Sequence, residues 1–428
     1  GAGVLLGAPG GAVAWGHPDR RGLLLGPGGV FVASFAVRWA LGPGGPGYIR
    51  IHLVAGADYE WNFRWGPAPL ALYRLLGGDP GDGAIQVFGI LLTSFVPLFL
   101  HGLLRNLGFG RPAALAAGLV AAAMPFLIVF SSVISRVPAA LFAGMAALWL
   151  AASFVRCGGS VRAAGAVIAS ILAILSRPEG GVVLVVAIPL ALAVAGPAKR
   201  RWGTVAGAVV LGLAAMAYLL LMCSENLTGL FDGGPRGRVS LGAIPWSILF
   251  GSEYTPIGFV AVGAVGLVVW WRDRRAWLVL AILAALEAAW VITPVGGYFI
   301  GLERMAANAR YQVVLIVPLV IAVALAVEWA ASLAPRLRAV VLGLMAVTCG
   351  ASFGPAVRET FVPRRPDYEY RFLRDHVASL GEQATIYHLL PPTDIGFIEP
   401  HLVRDPAGSR GPRWVALTPA NCRGAAKR

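Results

Sequence analysis

Long stretches without a charged side chain constrain this chain more than any other feature. Pro112 to Ser135, Gly203 to Ser224 and Tyr311 to Val327 contain no Asp, Glu, Lys or Arg. A helix of roughly 17–25 apolar residues crosses the hydrocarbon core of a bilayer, where its backbone N–H and C=O groups pair within the helix itself. Of the 428 residues, 57% are hydrophobic and only 13% are charged, against ~25% charged in ordinary soluble domains. One soluble core cannot absorb that excess, so the runs read as membrane spans.

Taken together, the apolar runs predict about eleven spans, near 22–41, 85–104, 112–132, 138–155, 163–176, 180–197, 203–223, 255–271, 276–295, 311–328 and 339–356. The first is interrupted by Gly26-Pro27-Gly28-Gly29 and carries Arg38. The fifth is short and runs into Ser176-Arg177-Pro178-Glu179-Gly180, where the proline ends a helix. No repeat of 20–50 residues stands out, nor any inverted pair of broken helices of the kind many secondary transporters carry.

The net charge of +14 does not point to nucleic acid, because the cations are dispersed in short clusters between apolar runs rather than gathered in one patch. Arg20 and Arg21, Arg105 and Arg111, Arg156 and Arg162, Lys199 to Arg201, Arg272 with Arg274 and Arg275, and Arg336 with Arg338 fall on alternate connections. By the positive-inside rule these face the cytoplasm. The N-terminus is then inside, while loop 42–84, the turns at Arg136 and Arg177, loops 224–254 and 296–310 and the C-terminal tail face outward. The near-exclusive use of Arg over Lys, with abundant Ala and Gly, suits GC-rich codons and a bacterial inner (cytoplasmic) membrane. The chain begins without Met and shows no cleavable signal pattern, so its first apolar stretch reads as an anchor. Cys157, Cys223, Cys349 and Cys422 lack metal-ligand spacing and read as small buried hydrophobes.

From Arg358 the composition becomes charged and turn-rich. Asp367 to Leu380 has helical periodicity, whereas Ala384 to Leu389 and Trp414 to Thr418 read as short strands. The expected architecture is an all-α polytopic membrane protein over 1–357, with about eleven transmembrane helices and a small α/β soluble C-terminal domain over 358–428 outside the membrane.

Loop 42–84 is the most informative polar segment. It contains Tyr48, Arg50 and His52, then Asp58-Tyr59-Glu60-Trp61, then Arg64-Trp65-Gly66-Pro67-Ala68-Pro69-Leu70. Two carboxylates stand close together just beyond the first span, flanked by aromatic rings that suit a membrane interface or a sugar face. An ordinary solvated loop whose Trp and Tyr form an interfacial belt would look the same.

A first span followed by a long outer loop with an acidic pair and a Pro-x-Pro-Leu segment resembles the GT-C superfamily of membrane glycosyltransferases, and most closely its protein-mannosyltransferase-like branch. Softer matches are Gly108-Phe109-Gly110-Arg111-Pro112 leading a span with Met124-Pro125-Phe126, then Ser176 to Gly180, and Ala309-Arg310-Tyr311 opening a long apolar run. The pattern departs where branch members carry His-Pro-Pro, since this chain reads Gly66-Pro67-Ala68-Pro69.

The resemblance implies a polyprenyl-phosphate-linked sugar donor, a lipid, glycan or protein acceptor, and a site at the outer face among membrane lipids. It places Asp58 and Glu60 on the acidic motif. Asp58 would act as base or acceptor-orienting group, and Glu60 would orient it or help hold a divalent metal. Arg177, Arg304 and Arg310 stand near outward span ends as donor-phosphate ligands, because guanidinium binds phosphate oxygens bidentately. They could equally snorkel or pair with Glu179 or Glu303. His52, Tyr59, Trp61, Arg64, Glu179 and Tyr311 would line the substrate. Glu287, mid-span, is costly there and reads more readily as protonated or paired than as catalytic. His52, His101, His376, His388 and His401 are not at zinc spacing. A secondary transporter or lipid flippase, or a non-catalytic scaffold, are the competing readings; the long outer loop and soluble tail favour neither transport class.

Overall fold

The computed structural model describes residues 26–41, 82–132, 137–176, 187–194, 255–292 and 315–361, scattered positions between 202 and 213, and two short strands at 386–388 and 402–404. Among these the structure is mostly helical. In order come α1 (Pro27–Leu41), α2 (Asp82–Asn106), α3 (Arg111–Ala122), α4 (Pro125–Ser132), α5 (Val137–Cys157), α6 (Ser160–Ser176), α7 (Ile257–Val269), α8 (Arg274–Ile292), α9 (Ile316–Ser332) and α10 (Pro335–Phe361). Helical residues also occur at 187–194. Strands β1 (Ile386–His388) and β2 (Leu402–Arg404) pair in parallel, Tyr387 opposite Val403.

Three helical segments, Val87–Asn106, Val137–Cys157 and Pro335–Gly354, are long and apolar enough to cross a membrane, and five shorter apolar helices accompany them. Large apolar side chains stand on the outside: Val340 is 66%, Val268 72% and Val161 84% exposed. The span within α10 has none of its most apolar stretch buried inside the protein. In water such surfaces would aggregate, whereas in a bilayer they are solvated by lipid.

Where the helices begin and end differs from expectation in two places. Pro27 does not interrupt the first span but starts it as the first helical residue, where the missing N–H is one that no helix uses. The run 112–132 is two helices, because Pro125 has no N–H to continue α3 and begins α4 instead. The fifth run, read as short and ended by Pro178, is a regular seventeen-residue helix, α6.

Two groups of helices share one core. In the N-terminal group α2 packs against α1, α3, α4 and α5, and α5 against α6. In the C-terminal group α9 packs against α7, α8 and α10. Contact of α9 with α3 joins them. The core is built largely of alanine with Leu and Val, including Ala113, Ala117 and Ala121 of α3 and Val320 to Ala326 of α9. Between membrane helices, where no hydrophobic force separates protein from lipid, small side chains let backbones approach and gain dispersion contacts. The approach is tightest where Gly266 of α7 faces the backbone of Ala322 and Ala326; a methyl group there would lie 2.7 Å from the Ala326 nitrogen. A ladder of rings, Phe31, Phe35 and Trp39 on α1 and Phe95 and Phe99 on α2, closes the first interhelical seam and continues to Trp149 of α5.

Of the expected tail, β1 lies inside the strand read over 384–389, and its partner Leu402–Arg404 was not anticipated. The expected helix 367–380 and strand 414–418 lie outside the described residues.

Candidate functional site

Every residue assigned a site role from the sequence lies outside the described residues: Asp58 and Glu60, Arg177, Arg304 and Arg310, and His52, Tyr59, Trp61, Arg64, Glu179 and Tyr311. What the structure places is the frame that holds their segments, and two groups of polar side chains at opposite ends of it.

The first group ties together the turns that carry the arginine clusters. Helix α2 ends in a left-handed Gly108 (φ 88°). There the Phe109 N–H donates to Leu104 C=O at 3.0 Å and the Gly108 N–H to Arg105 C=O at 3.3 Å. This is the paired closure by which a glycine terminates a helix and satisfies its last carbonyls. Arg156 Nη1 donates to the carbonyls of Arg105 and Asn106, and Asn106 Nδ2 to Ser153 Oγ at 2.7 Å, fastening the ends of α2 and α5 together. Cations at helix C-termini meet both free carbonyls and the negative end of the dipole.

The second half of this end centres on Arg275. Its Nε and Nη2 donate to the two carboxylate oxygens of Asp273 at 3.1 and 2.7 Å. Its Nη1 lies 2.7 Å from Glu328 Oε2, an ion pair whose angle falls outside hydrogen-bond geometry. Its guanidinium carbon stands 4.3 Å over the Phe109 ring. Glu328 Oε1 accepts from the Gly110 N–H at 3.2 Å. One arginine thus joins the α7–α8 turn, the end of α9 and the α2–α3 turn, bridging the two helix groups. Burial works to raise the Asp273 carboxyl, but the hydrogen bonds and charge of Arg275 outweigh it and hold it below its ordinary value. For Arg275 burial works downward, and Asp273 and Glu328 together push it above its usual range. Glu328 stands in the last helical turn of an apolar run, and the Asp273-Arg275 pair inside a basic cluster; neither was singled out in the sequence. The segment Gly108 to Pro112, matched to the superfamily, is the hub of this junction.

The second group sits at the other end. Arg38, one turn before the end of α1, is fully buried. Its Nη1 donates to Ser34 C=O at 3.0 Å and to Ala122 C=O at 3.1 Å, and also reaches Ser34 Oγ. The contact with Ala122, the last residue of α3, puts the end of α1 beside the end of α3 remote from Arg111. The other two nitrogens of the guanidinium, Nε and Nη2, have no hydrogen-bond partner among the described residues. The sequence registered this arginine only as a charge that weakened the first span.

Four further buried hydroxyls are closed on their own helices: Thr93 on Gly89 C=O, Ser94 on Ile90 C=O, Ser131 on Ile128 C=O and Ser170 on Ala166 C=O. They contribute no polar route between helices. Glu287 belongs to α8, but its side chain lies outside the described residues. Of the cysteines, Cys157 is exposed and Cys349 half-buried, both free thiols, so the expected burial of Cys157 does not hold; it stands at the end of α5 where the chain turns at Gly158. Cys223 and Cys422 lie outside the described residues.

The arrangement of helices is similar to that of a solved membrane enzyme. The chain superposes with a TM-score of 0.53 on the crystal structure of the Archaeoglobus fulgidus oligosaccharyltransferase in complex with zinc and sulfate, at 13% identity, over 90% of this chain and 58% of that one. At that identity the likeness is one of fold. The chain spans less than two thirds of the length of this neighbour. No protein-family model and no curated protein sequence matches the chain.

Proposed function

We propose that this chain is a membrane glycosyltransferase of about eleven spans that moves a sugar from a polyprenyl-phosphate-linked donor to a lipid, glycan or protein acceptor at the outer face of the membrane, with a small α/β domain beyond Arg358 on the same side. The observation that carries this reading is the GT-C-like helix arrangement, in which α1 leads into the connection bearing the acidic pair Asp58 and Glu60. The finer resemblance, to the protein-mannosyltransferase-like branch, rests on the sequence pattern of that connection.

In the reaction the acceptor hydroxyl or amine attacks the anomeric carbon, the bond from that carbon to the donor phosphate oxygen breaks, and the lipid phosphate leaves. Asp58 accepts the acceptor's proton as the new bond forms, and Glu60 orients it. Positioned general-base assistance contributes about 10²–10⁴ in rate. The departing phosphate carries the negative charge, which Arg177, Arg304 or Arg310 would hold through a bidentate fork. The neighbouring structure contains zinc, and Asp58 and Glu60 would be the residues of this chain to share a divalent metal. Among the described residues no three His, Cys, Asp or Glu side chains gather to hold one.

The test is transfer of labelled sugar from a polyprenyl-phosphate donor by purified protein at equal amounts of folded enzyme. Asp58→Asn should lower turnover by about 10²–10⁴, Glu60→Gln by less, and Arg310→Lys or Arg177→Lys should weaken donor binding. Near-normal transfer by Asp58→Asn removes that residue from the mechanism. Reporter fusions after Arg201 and after Arg365 should lie on opposite sides of the membrane; the same side for both overturns the orientation.

A further inference from the structure

We infer that Arg38 is a binding residue for a phosphate ester, presented to its free Nε and Nη2 edge at the end of the bundle where α1 leaves the core. A guanidinium has two useful edges, and the Nε/Nη2 edge is the one that matches two oxygens of an oxyanion side by side. At Arg275 that same edge is filled by both oxygens of Asp273. At Arg38 the opposite nitrogen, Nη1, is held by Ser34 and Ala122, which fixes the plane of the group, and the edge itself has no partner among the described residues although the side chain is fully buried.

A buried cation lacking an anion is expensive, and leaving charged donors unmade costs more than a neutral bond. Of the carboxylates whose side chains are described, Asp273 and Glu328, both are engaged with Arg275 at the far end. No described carboxylate is therefore free to meet Arg38, and the depth of the site indicates which anion fits there. Trp39, the next residue, is 59% exposed at the end of an apolar helix, the position at which indole marks the headgroup level of a membrane. Phosphate is the doubly oxygenated anion that lipids carry at that level. Since the edge is enclosed by protein, a phosphate that reaches it sheds its water, and the low dielectric strengthens the pair.

The phosphate has two sources, a polyprenyl phosphate or an ordinary acidic phospholipid. Assigning it to the donor rests on the proposed glycosyl transfer; the site itself does not. The probes are polyprenyl phosphate and phosphatidylglycerol, titrated separately into the purified full chain in detergent, with binding read from the thermal midpoint and from intrinsic tryptophan fluorescence. Arg38→Lys keeps the positive charge but not the fork, and should weaken one of the two lipids by at least about tenfold, a loss on the order of 1.4 kcal/mol. Ser34→Ala, which loosens the guanidinium without removing it, should weaken the same lipid by less. Weakening of polyprenyl phosphate supports a donor-side role; weakening of phosphatidylglycerol alone supports a structural lipid site. Unchanged affinity of folded Arg38→Lys for both overturns the inference. Loss of sugar transfer in Asp58→Asn with phosphate binding intact separates this site from the transfer reading.

Discussion

Arg275 and Arg38 pose the same electrostatic problem at opposite ends of the bundle, and the protein answers it differently. Arg275 has every nitrogen engaged, by Asp273, by Glu328 and by the face of Phe109. Arg38 is more deeply buried yet, among the described residues, has only one nitrogen engaged, by carbonyls and a hydroxyl that carry no formal charge. The first arrangement is complete without any other molecule and serves to join helices. In the second, two donors of the guanidinium have no described protein partner, the arrangement from which the phosphate site is inferred. The difference shows that a charged side chain among membrane helices is informative chiefly through the state of its remaining donors.

If the comparison is right, changes at the joined end should cost stability and spare ligand binding, and the largest such cost belongs to the closest backbone contact. Gly266→Leu drives a side chain into the α9 backbone and should destabilise the protein at the upper end of the roughly 1–3 kcal/mol typical of overpacking, seen as a lower thermal midpoint in detergent. Retention of the wild-type midpoint would mean that α7 and α9 do not meet there. Gly108→Ala forces a methyl-bearing residue into φ 88° and should cost about 1–2 kcal/mol, with the polyprenyl phosphate affinity unchanged. A shift in that affinity would tie the two ends together and break the distinction.

Glu328→Gln should cost about 1 kcal/mol, since the pair it removes is partly exposed and solvent screens it. The sign of the effect on Arg275 is diagnostic, because only Glu328→Gln, and not a change at a lipid-facing position, should loosen both the α2–α3 turn and the α7–α8 turn in hydrogen exchange. The smallest effect is that of acid. Because folding lowers the Asp273 pKa, the carboxylate's stabilisation is fully present above its unfolded-state value, about 3.9, and is lost as pH falls through the lower folded value. The difference in midpoint between the wild type and Asp273→Asn should therefore stay constant from about pH 7 to 5 and shrink only below about pH 4. A difference that vanished already at pH 6 would remove Asp273 from the junction.

How far the sequence foretold this structure depends on what each signal encodes. Helix positions followed closely, with 85–104 realised as Asp82–Asn106 and 138–155 as Val137–Cys157, because an apolar run in a bilayer has few conformational choices. The prolines were harder: Pro27 was read as a break and proved a start, and Pro125 was passed over although it divides a run. A missing N–H acts according to its position in the helix, which composition alone does not specify. The clustering of the arginines was visible; which one grips Asp273 and Glu328 was not, since the contact with Glu328 joins residues 53 positions apart on two helices. The candidate catalytic loop was chosen from residue type and resemblance, and its residues lie outside the described structure.

The break between α3 and α4 has a consequence for how the chain is assembled. A carbonyl inside a continuous helix is committed to the N–H four residues on, but Pro125 ends that series and Ala122 C=O is given to Arg38 instead, 84 residues earlier in the chain. An arginine near the middle of an isolated span opposes its insertion by ~2.5–3.5 kcal/mol, less toward an end. When α1 leaves the ribosome, the group that will share its charge has not been made. Its residence in the bilayer is therefore provisional, secured only when α3 is delivered beside it, so the first of the described helices is among the last to be settled.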